Sequence, residues 1–264
     1  MSTTFKGTAL PLDQEGIDET ADRLGIKDAE LWAVITVETS GCGFLPDRRP
    51  KILFERHIFS RETGGRFDQS NPDISNRTPG GYGLDGPNQY DRLEEALSLD
   101  REAALKSTSW GIGQVMGFNA EVAGYSDVEA MVKAMMVSEN EQLSAMAGFI
   151  IHNGFHEALR ANDWAAFARG YNGSEYAKNK YDIKLEAAYR KYMLGLRPNL
   201  DVRAAQMYLA YLGYQPGTID GMPGRLTYSA LNLFQKEIGL PIANEIDGNL
   251  LALLKGKVSA LNDT

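Results

Sequence analysis

Leu31, Val34, Ile35 and Glu38 recur at i, i+3, i+4 and i+7, the spacing of one helix face. Three of the four are aliphatic, so that face is buried. The fourth is a carboxylic acid, standing where another aliphatic residue is expected. Burial penalises the charged form of a carboxyl and raises its pKa. Ser40-Gly41-Cys42-Gly43 breaks the helix directly afterwards, so Glu38 also lies near a helix C-terminus, where the macrodipole disfavours negative charge. A carboxyl that keeps its proton near neutral pH is equipped to act as a general acid. Two bland readings compete: Glu38 pairs with a buried Arg, or the helix frays at Ser40-Gly41 and the side chain reaches water.

Other residues able to do chemistry are fewer. Glu55 interrupts the apolar run Lys51-Ile52-Leu53-Phe54-Glu55-Arg56-His57-Ile58-Phe59, which reads equally as a strand or a short helix. Glu55 is the first candidate for a second carboxylate, with a salt bridge to Arg56 or Arg48 as its structural alternative. Asp68, Asp73 and Asp85 are also available, in a loop over 60–90 rich in Gly, Asn, Asp, Pro and Arg. A loop of that length is functional or disordered. Its Tyr82 and Phe67 suit one wall of a sugar cleft; the competing reading is a floppy insertion. The single cysteine, Cys42, excludes an intramolecular disulfide and a cysteine zinc site and reads as a small buried thiol. His152 and His156 stand at i, i+4, but the metalloprotease motif needs Glu where Asn153 stands. No metal and no cofactor are therefore expected.

The elements that must position these groups are mostly helical. Ile17–Leu24 is amphipathic and stopped by Gly25, after an arm over residues 1–16. Asp28 is the expected N-cap of the helix that carries Glu38. Asp100 caps a helix over 101–108, and Ser126-Asp127-Val128-Glu129 and Ser138-Glu139-Asn140-Glu141 both read as capping boxes. Asp163 caps Trp164–Arg169, with Gly170 closing it and Tyr171-Asn172-Gly173 just beyond. A last helix runs from about Lys178 to Leu194. Pro198 to Asp201 is the expected boundary, dividing the chain into 1–196 and 200–264. In the smaller segment Val202, Ala205, Leu209 and Leu212 form one helix face, Thr227 caps a second helix with Ala230, Leu231, Phe234 and Ile238 inward, and the Asp220-Gly221 and Asp247-Gly248 turns suggest a loose internal repeat.

Composition narrows the class. The chain has 264 residues, 43% hydrophobic and 23% charged, and a net charge of −8. That acidity argues against a nucleic-acid partner, whose binders carry basic surfaces. No apolar run approaches the roughly 18 residues that span a bilayer, and Met1-Ser2-Thr3-Thr4-Phe5-Lys6 lacks a signal-peptide core. The expectation is synthesis in the cytosol, with any export by another route.

The smaller segment resembles the helical peptidoglycan-binding domain attached to many cell-wall hydrolases. Gln206, Leu209, Leu212-Gly213-Tyr214, Ile219-Asp220-Gly221, Pro223-Gly224, Thr227, Ala230, Phe234-Gln235 and Gly239-Leu240-Pro241 carry the likeness; the departure is Met222-Pro223-Gly224, where an aromatic before the Gly is more usual. Residues from about 20 to 195 resemble the phage-type N-acetylmuramidases of the lysozyme superfamily. Val37-Glu38-Thr39-Ser40-Gly41, Ser109-Trp110-Gly111-Ile112-Gly113-Gln114-Val115-Met116 and Tyr171-Asn172-Gly173 are similar to blocks of goose-type lysozymes and lytic transglycosylases. Pro50 through His57 and Pro79-Gly80-Gly81-Tyr82 are similar to the narrower muramidase family.

The resemblance implies a mainly α chain: a lysozyme-like catalytic domain with a small β and loop region, then a small three-helix wall-binding domain. It implies a monomeric peptidoglycan hydrolase of the endolysin type, cleaving the β-1,4 bond between N-acetylmuramic acid and N-acetylglucosamine. Such an enzyme waits in the host cytoplasm until a separate membrane pore releases it to the wall. Glu38 is then the acid and Glu55 the candidate second carboxylate. Ser109, Gln114, Tyr171, Asn172 and Tyr82 are the candidate substrate contacts, Gln114 through its amide. Ser109 has a helix-capping alternative, Gln114 a loop-tying one, and Tyr171 and Asn172 that of satisfying buried backbone. Three rivals stay open: attack by the sugar's own C6 hydroxyl to give an anhydro product, a zinc amidase or peptidase, and a wall-binding protein without activity. On the two-domain reading, loss of 200–264 is expected to weaken wall binding and leave slow cleavage.

Overall fold

The computed structural model describes residues 5–38, 41–195 and 197–261. Thr39 and Ser40, part of the expected helix break and of the first motif block, lie outside them.

Helix α1 (Gln14–Leu24) starts at Asp13, which accepts from the Gly16 amide, and stops at Gly25 in the left-handed region at φ 66°. Helix α2 (Asp28–Glu38) is buried on every side, not along one stripe: Ala29 through Ile35 are all inaccessible. A helix apolar all round belongs in a core, and α2 packs between α1 and a later helix, α10. Asp28 is its first helical residue and pairs with Arg197 (Nη1–Oδ2 2.6 Å), so it is not the cap that the sequence suggests. The described part of the helix runs to Glu38.

The ambiguous run resolves into both of its readings. Strand β1 (Ile52–Phe54) is followed at once by helix α3 (Arg56–Glu62), with Glu55 at the junction. After the loop come helices α4 (Asn88–Leu99) and α5 (Arg101–Lys106), the latter capped by Asp100. Helix α5 stops before 108 because Thr108 begins strand β2 (Thr108–Trp110). That strand pairs antiparallel with β1 on one side and with β3 (Val115–Met116) on the other.

Helix α6 (Val128–Met135) is capped by Asp127, one residue later than the expected box, and α7 (Glu139–His152) by Ser138, as expected. Helix α8 (His156–Arg160) follows a turn, so His152 and His156 belong to different helices. That removes the i, i+4 pairing on which a zinc reading depends. Helix α9 (Trp164–Asn172) runs through Gly170 to Asn172. Gly170 is there for closeness, not termination: a Cβ would lie 2.6 Å from the Phe155 ring. Helix α10 (Tyr181–Met193) closes this part of the chain.

Three helices make up the remainder: α11 (Leu200–Tyr211), α12 (Arg225–Glu237) and α13 (Gly248–Ala260), capped respectively by Asn199, by backbone at Gly224, and by Asp247. Thr227 is inside α12 and buried; its hydroxyl donates to Pro216 O and accepts from Gln206 Nε2, so it ties the module together and caps nothing. The mainly α class with a small three-stranded sheet is the one expected.

The N-terminal arm is not loose. Phe5 is buried between Tyr90 and Trp110, and Ala9 and Leu10 bond the backbone of Met136 and Val137. Two apolar cores result, and their membership crosses the expected boundary. The smaller one joins Leu209, Leu231, Phe234 and Leu254 to Ala9, Cys42 and Phe44. A fully buried ion pair, Arg203 with Glu139, spans the same junction, and Tyr211 Oη donates to Ala9 O at 3.1 Å.

This changes the truncation expected from sequence. Removing 199–264 would uncover Cys42 and Phe44 and strand Glu139 without its cation, and breaking a buried pair costs about 3–5 kcal/mol. The truncated chain should lose its cooperative thermal transition in circular dichroism. A melting curve like that of the intact protein would show the junction to be dispensable.

Candidate active site

Glu38, Cys42, Leu45, Lys51, Ile52, Leu53, Asp85, Gly86, Gln89, Gly111 and Gln114 surround a cavity of about 400 Å³. Glu38 comes from the end of α2, Ile52 and Leu53 from β1, and Gly111 and Gln114 from the turn between β2 and β3. Burial pushes the Glu38 carboxyl up to about 7, against the opposing pull of the Asn172 amide and the Lys184 ammonium. Asn172 Nδ2 donates to Glu38 Oε2 at 2.9 Å. Oε1 is buried, and no described residue bonds it. One oxygen is thus held in place and the other is free to carry the proton. Among the described residues no Arg pairs with Glu38, and its carboxyl is largely buried.

The motif residues divide into one that touches the acid and several that brace it. Asn172 touches it. Tyr171, in the last turn of α9, stacks on Phe167 and donates its hydroxyl to Gly113 O at 2.6 Å. It is a strut between α9 and the β2–β3 turn. Gln114 has φ 46°, uncommon for a side chain with a Cβ. Its Nε2 donates to Gly111 O (2.8 Å) and Lys51 O (3.3 Å), and its Oε1 accepts from Ser109 Oγ at 2.8 Å. The loop-tying alternative therefore describes Gln114 as it stands. Ser109 lies in β2 and caps no helix.

Glu55, the candidate second carboxylate, has its Oε2 3.1 Å from His57 Nδ1. Tyr82 is beside it, and burial together with the Glu55 charge raises the Tyr82 phenol. Neither Glu55 nor Tyr82 lines the cavity that holds Glu38. They connect to it through Gln89, whose Oε1 accepts from Phe54 N and whose Nε2 donates to Tyr82 O and Leu84 O. Asp68 is engaged by Ser75 and Arg77, in the order that holds its carboxyl low. Of the carboxylates named from sequence, Asp85 is the one that joins Glu38 in the cavity wall.

Sequence reasoning missed Gln142, Gln89 and Lys51. Gln142 is fully buried, accepts from Ile112 N at 2.8 Å and donates to Met135 O at 2.9 Å. It fixes the Gly-rich turn from behind, and a Cβ at Gly111 would collide with it. No periodicity marks a buried amide inside Glu139-Asn140-Glu141-Gln142.

A carboxylic acid kept protonated at the end of a buried helix, beside a short sheet in a mainly α body, defines a lysozyme-like glycosidase. The comparisons with known proteins agree. Residues 27–193 match the N-acetylmuramidase family and residues 198–254 the peptidoglycan-binding domain family. The chain belongs to the N-acetylmuramidase family; it is a glycoside hydrolase that acts on peptidoglycan. The crystal structure of the Burkholderia AP3 phage endolysin is similar, with a TM-score of 0.66 and 43% identity over 70% of this chain and 72% of that one. No curated protein matches.

Two outcomes follow from the raised carboxyl. Its folded pKa of about 7 exceeds the ordinary 4.5, so its stabilising contribution is complete below about pH 4.5 and lost as pH rises through 7. The loss is on the order of 3 kcal/mol. Glu38→Gln should therefore raise the melting temperature relative to wild type at pH 8 and change it little at pH 4. A gain independent of pH would contradict this. Asn172→Ala removes a donor that favours the charged form; it should move the alkaline limb of the pH–rate profile upward and lower turnover about tenfold.

Proposed function

We propose that this chain cleaves the β-1,4 bond between N-acetylmuramic acid and N-acetylglucosamine, with Glu38 as the proton donor. The supporting observation is the Glu38 carboxyl itself: raised to about 7, lining the cavity, one oxygen tethered by Asn172 and the other unbonded by any described residue. A glycosidic oxygen leaves poorly as an alkoxide. Protonation by Glu38 lets the carbon–oxygen bond break while positive charge develops on the sugar ring. Water then adds to the ring carbon, and its proton goes to a carboxylate. Asp85 is better placed than Glu55 to take it, since Asp85 shares the cavity wall.

Ser109, Gln114 and Tyr171 serve this reaction by holding the cavity in shape, and Tyr82 flanks it through Gln89. Residues 1–196 carry the chemistry and 200–264 hold the wall, the two joined across a packed junction. The enzyme works as a monomer and stays in the host cytoplasm until released to the wall; its likeness to a phage endolysin supports that route.

The decisive experiment combines Glu38→Gln with product analysis. The variant should abolish turbidity loss of purified peptidoglycan by at least about a hundredfold while still pelleting with it. Full activity would remove Glu38 from the mechanism. Mass spectrometry of the wild-type digest should show fragments heavier by one water with new reducing ends; anhydro ends would assign the sugar's own hydroxyl as the attacker. Asp85→Asn should reduce turnover more than Glu55→Gln does, and the reverse order would return the role to Glu55.

A further inference from the structure

The junction between the two cores lies directly behind the acid. Arg203, on α11 of the wall-binding segment, and Glu139, the first residue of α7, are both fully buried. Arg203 Nη2 donates to Glu139 Oε1 at 2.8 Å and Nη1 to Glu139 Oε2. The same Nη2 donates to Gly41 O at 2.9 Å. Glu139 in turn accepts from Gly43 N at 2.8 Å and from Leu12 N at 2.9 Å. Burial opposes both charges, yet mutual attraction and these amides hold the Glu139 carboxyl below its usual range and the Arg203 guanidinium above its own. The pair therefore stays charged around neutral pH.

What the pair grips is the segment that leaves the acid helix. Gly41 and Gly43 are held on either side of Cys42, and Cys42 shares the cavity wall with Glu38. Gly41 has φ 97°, and a Cβ there would lie 3.0 Å from Ile219 O, a carbonyl of the wall-binding segment. That segment thus contacts residue 41 twice, through Arg203 and through Ile219. A buried ion pair adds little net stability compared with apolar residues of the same volume. Its bidentate geometry instead specifies position.

We propose that Arg203 is a positioning residue for the glycosidase reaction. By holding Gly41 directly and Gly43 through Glu139, it anchors the chain three residues beyond Glu38 and so fixes how deeply the Glu38 carboxyl is buried. The wall-binding segment is then part of the catalytic apparatus as well as an anchor. The inference rests on Glu38 being the proton donor.

The test uses the full chain and short soluble glycan strands, so that wall tethering does not enter the rate. Arg203→Lys keeps a cation for Glu139 but loses the fork that also reaches Gly41. It should lower kcat about tenfold or more with KM changed less than about twofold, and move the alkaline limb down by at least about half a pH unit as Glu38 gains water. Pelleting with peptidoglycan should be unchanged. A role in stability alone would lower the melting temperature and leave kcat and the alkaline limb at wild-type values; that result overturns the proposal. The charge-free double variant Glu139→Gln with Arg203→Met makes the same decision if the lysine variant does not fold. Hydrogen exchange in the wild type makes it without any substitution: the Gly43 amide and the amides of α11 should open together, and independent opening overturns the coupling. Glu38→Gln is run alongside. If it remains active the acid assignment fails; if it is inactive while Arg203→Lys behaves as wild type, only the positioning role fails.

Discussion

The proposed acid, Glu38, must hold a proton near neutral pH and so has to be taken out of water, yet it must still face its substrate. That conflict governs the design of this enzyme. The end of α2 meets both demands, because the helix is buried on every side until its last turn and opens there onto the cavity. The sheet and its β2–β3 turn supply part of the wall, and the C-terminus of the helix adds a field unfavourable to negative charge. One amide, from Asn172, limits the effect: it fixes the carboxyl in space while pulling its pKa back toward the ordinary range.

Most polar residues of the site act on the protein and not outward. Gln114, Ser109, Gln142 and Tyr171 direct their hydrogen bonds to backbone or to one another. A turn rich in glycine is entropically costly to fix, and Gln114 adopts a left-handed conformation within it. Side-chain bonds from β2, α7 and α9 converge on that turn and replace the rigidity that its sequence lacks. Preorganisation of this kind matters because a general acid helps only when its proton is aimed at the leaving oxygen.

The enzyme's two activities, cutting and holding, are built on two cores that share residues. Ala9, Cys42 and Phe44 pack with the wall-binding helices, and the Arg203–Glu139 pair joins α11 to α7. A flexible tether would only raise local concentration at the wall. A packed junction also sets the orientation in which the cavity meets a glycan strand held by the other segment.

From sequence alone, local features were readable: the i, i+3, i+4, i+7 register that exposes Glu38 as an intruder, the caps at Asp100, Ser138 and Asp163, the glycine stop at Gly25, and the helical faces of the C-terminal segment. Each depends on residues within a turn or two of one another, where backbone geometry and side-chain capping act. Gly170 misled because a glycine that ends a helix and one that admits a neighbouring ring look identical in one dimension. The place of Asp85 in the cavity wall, the burial of Glu139 and Arg203, and the strut from Tyr171 were decided by tertiary structure. Their partners lie far apart in the chain, Asn172 134 residues from Glu38 and Arg203 64 residues from Glu139. No periodicity encodes such pairs; burial and charge become favourable only when packing removes water from both members at once.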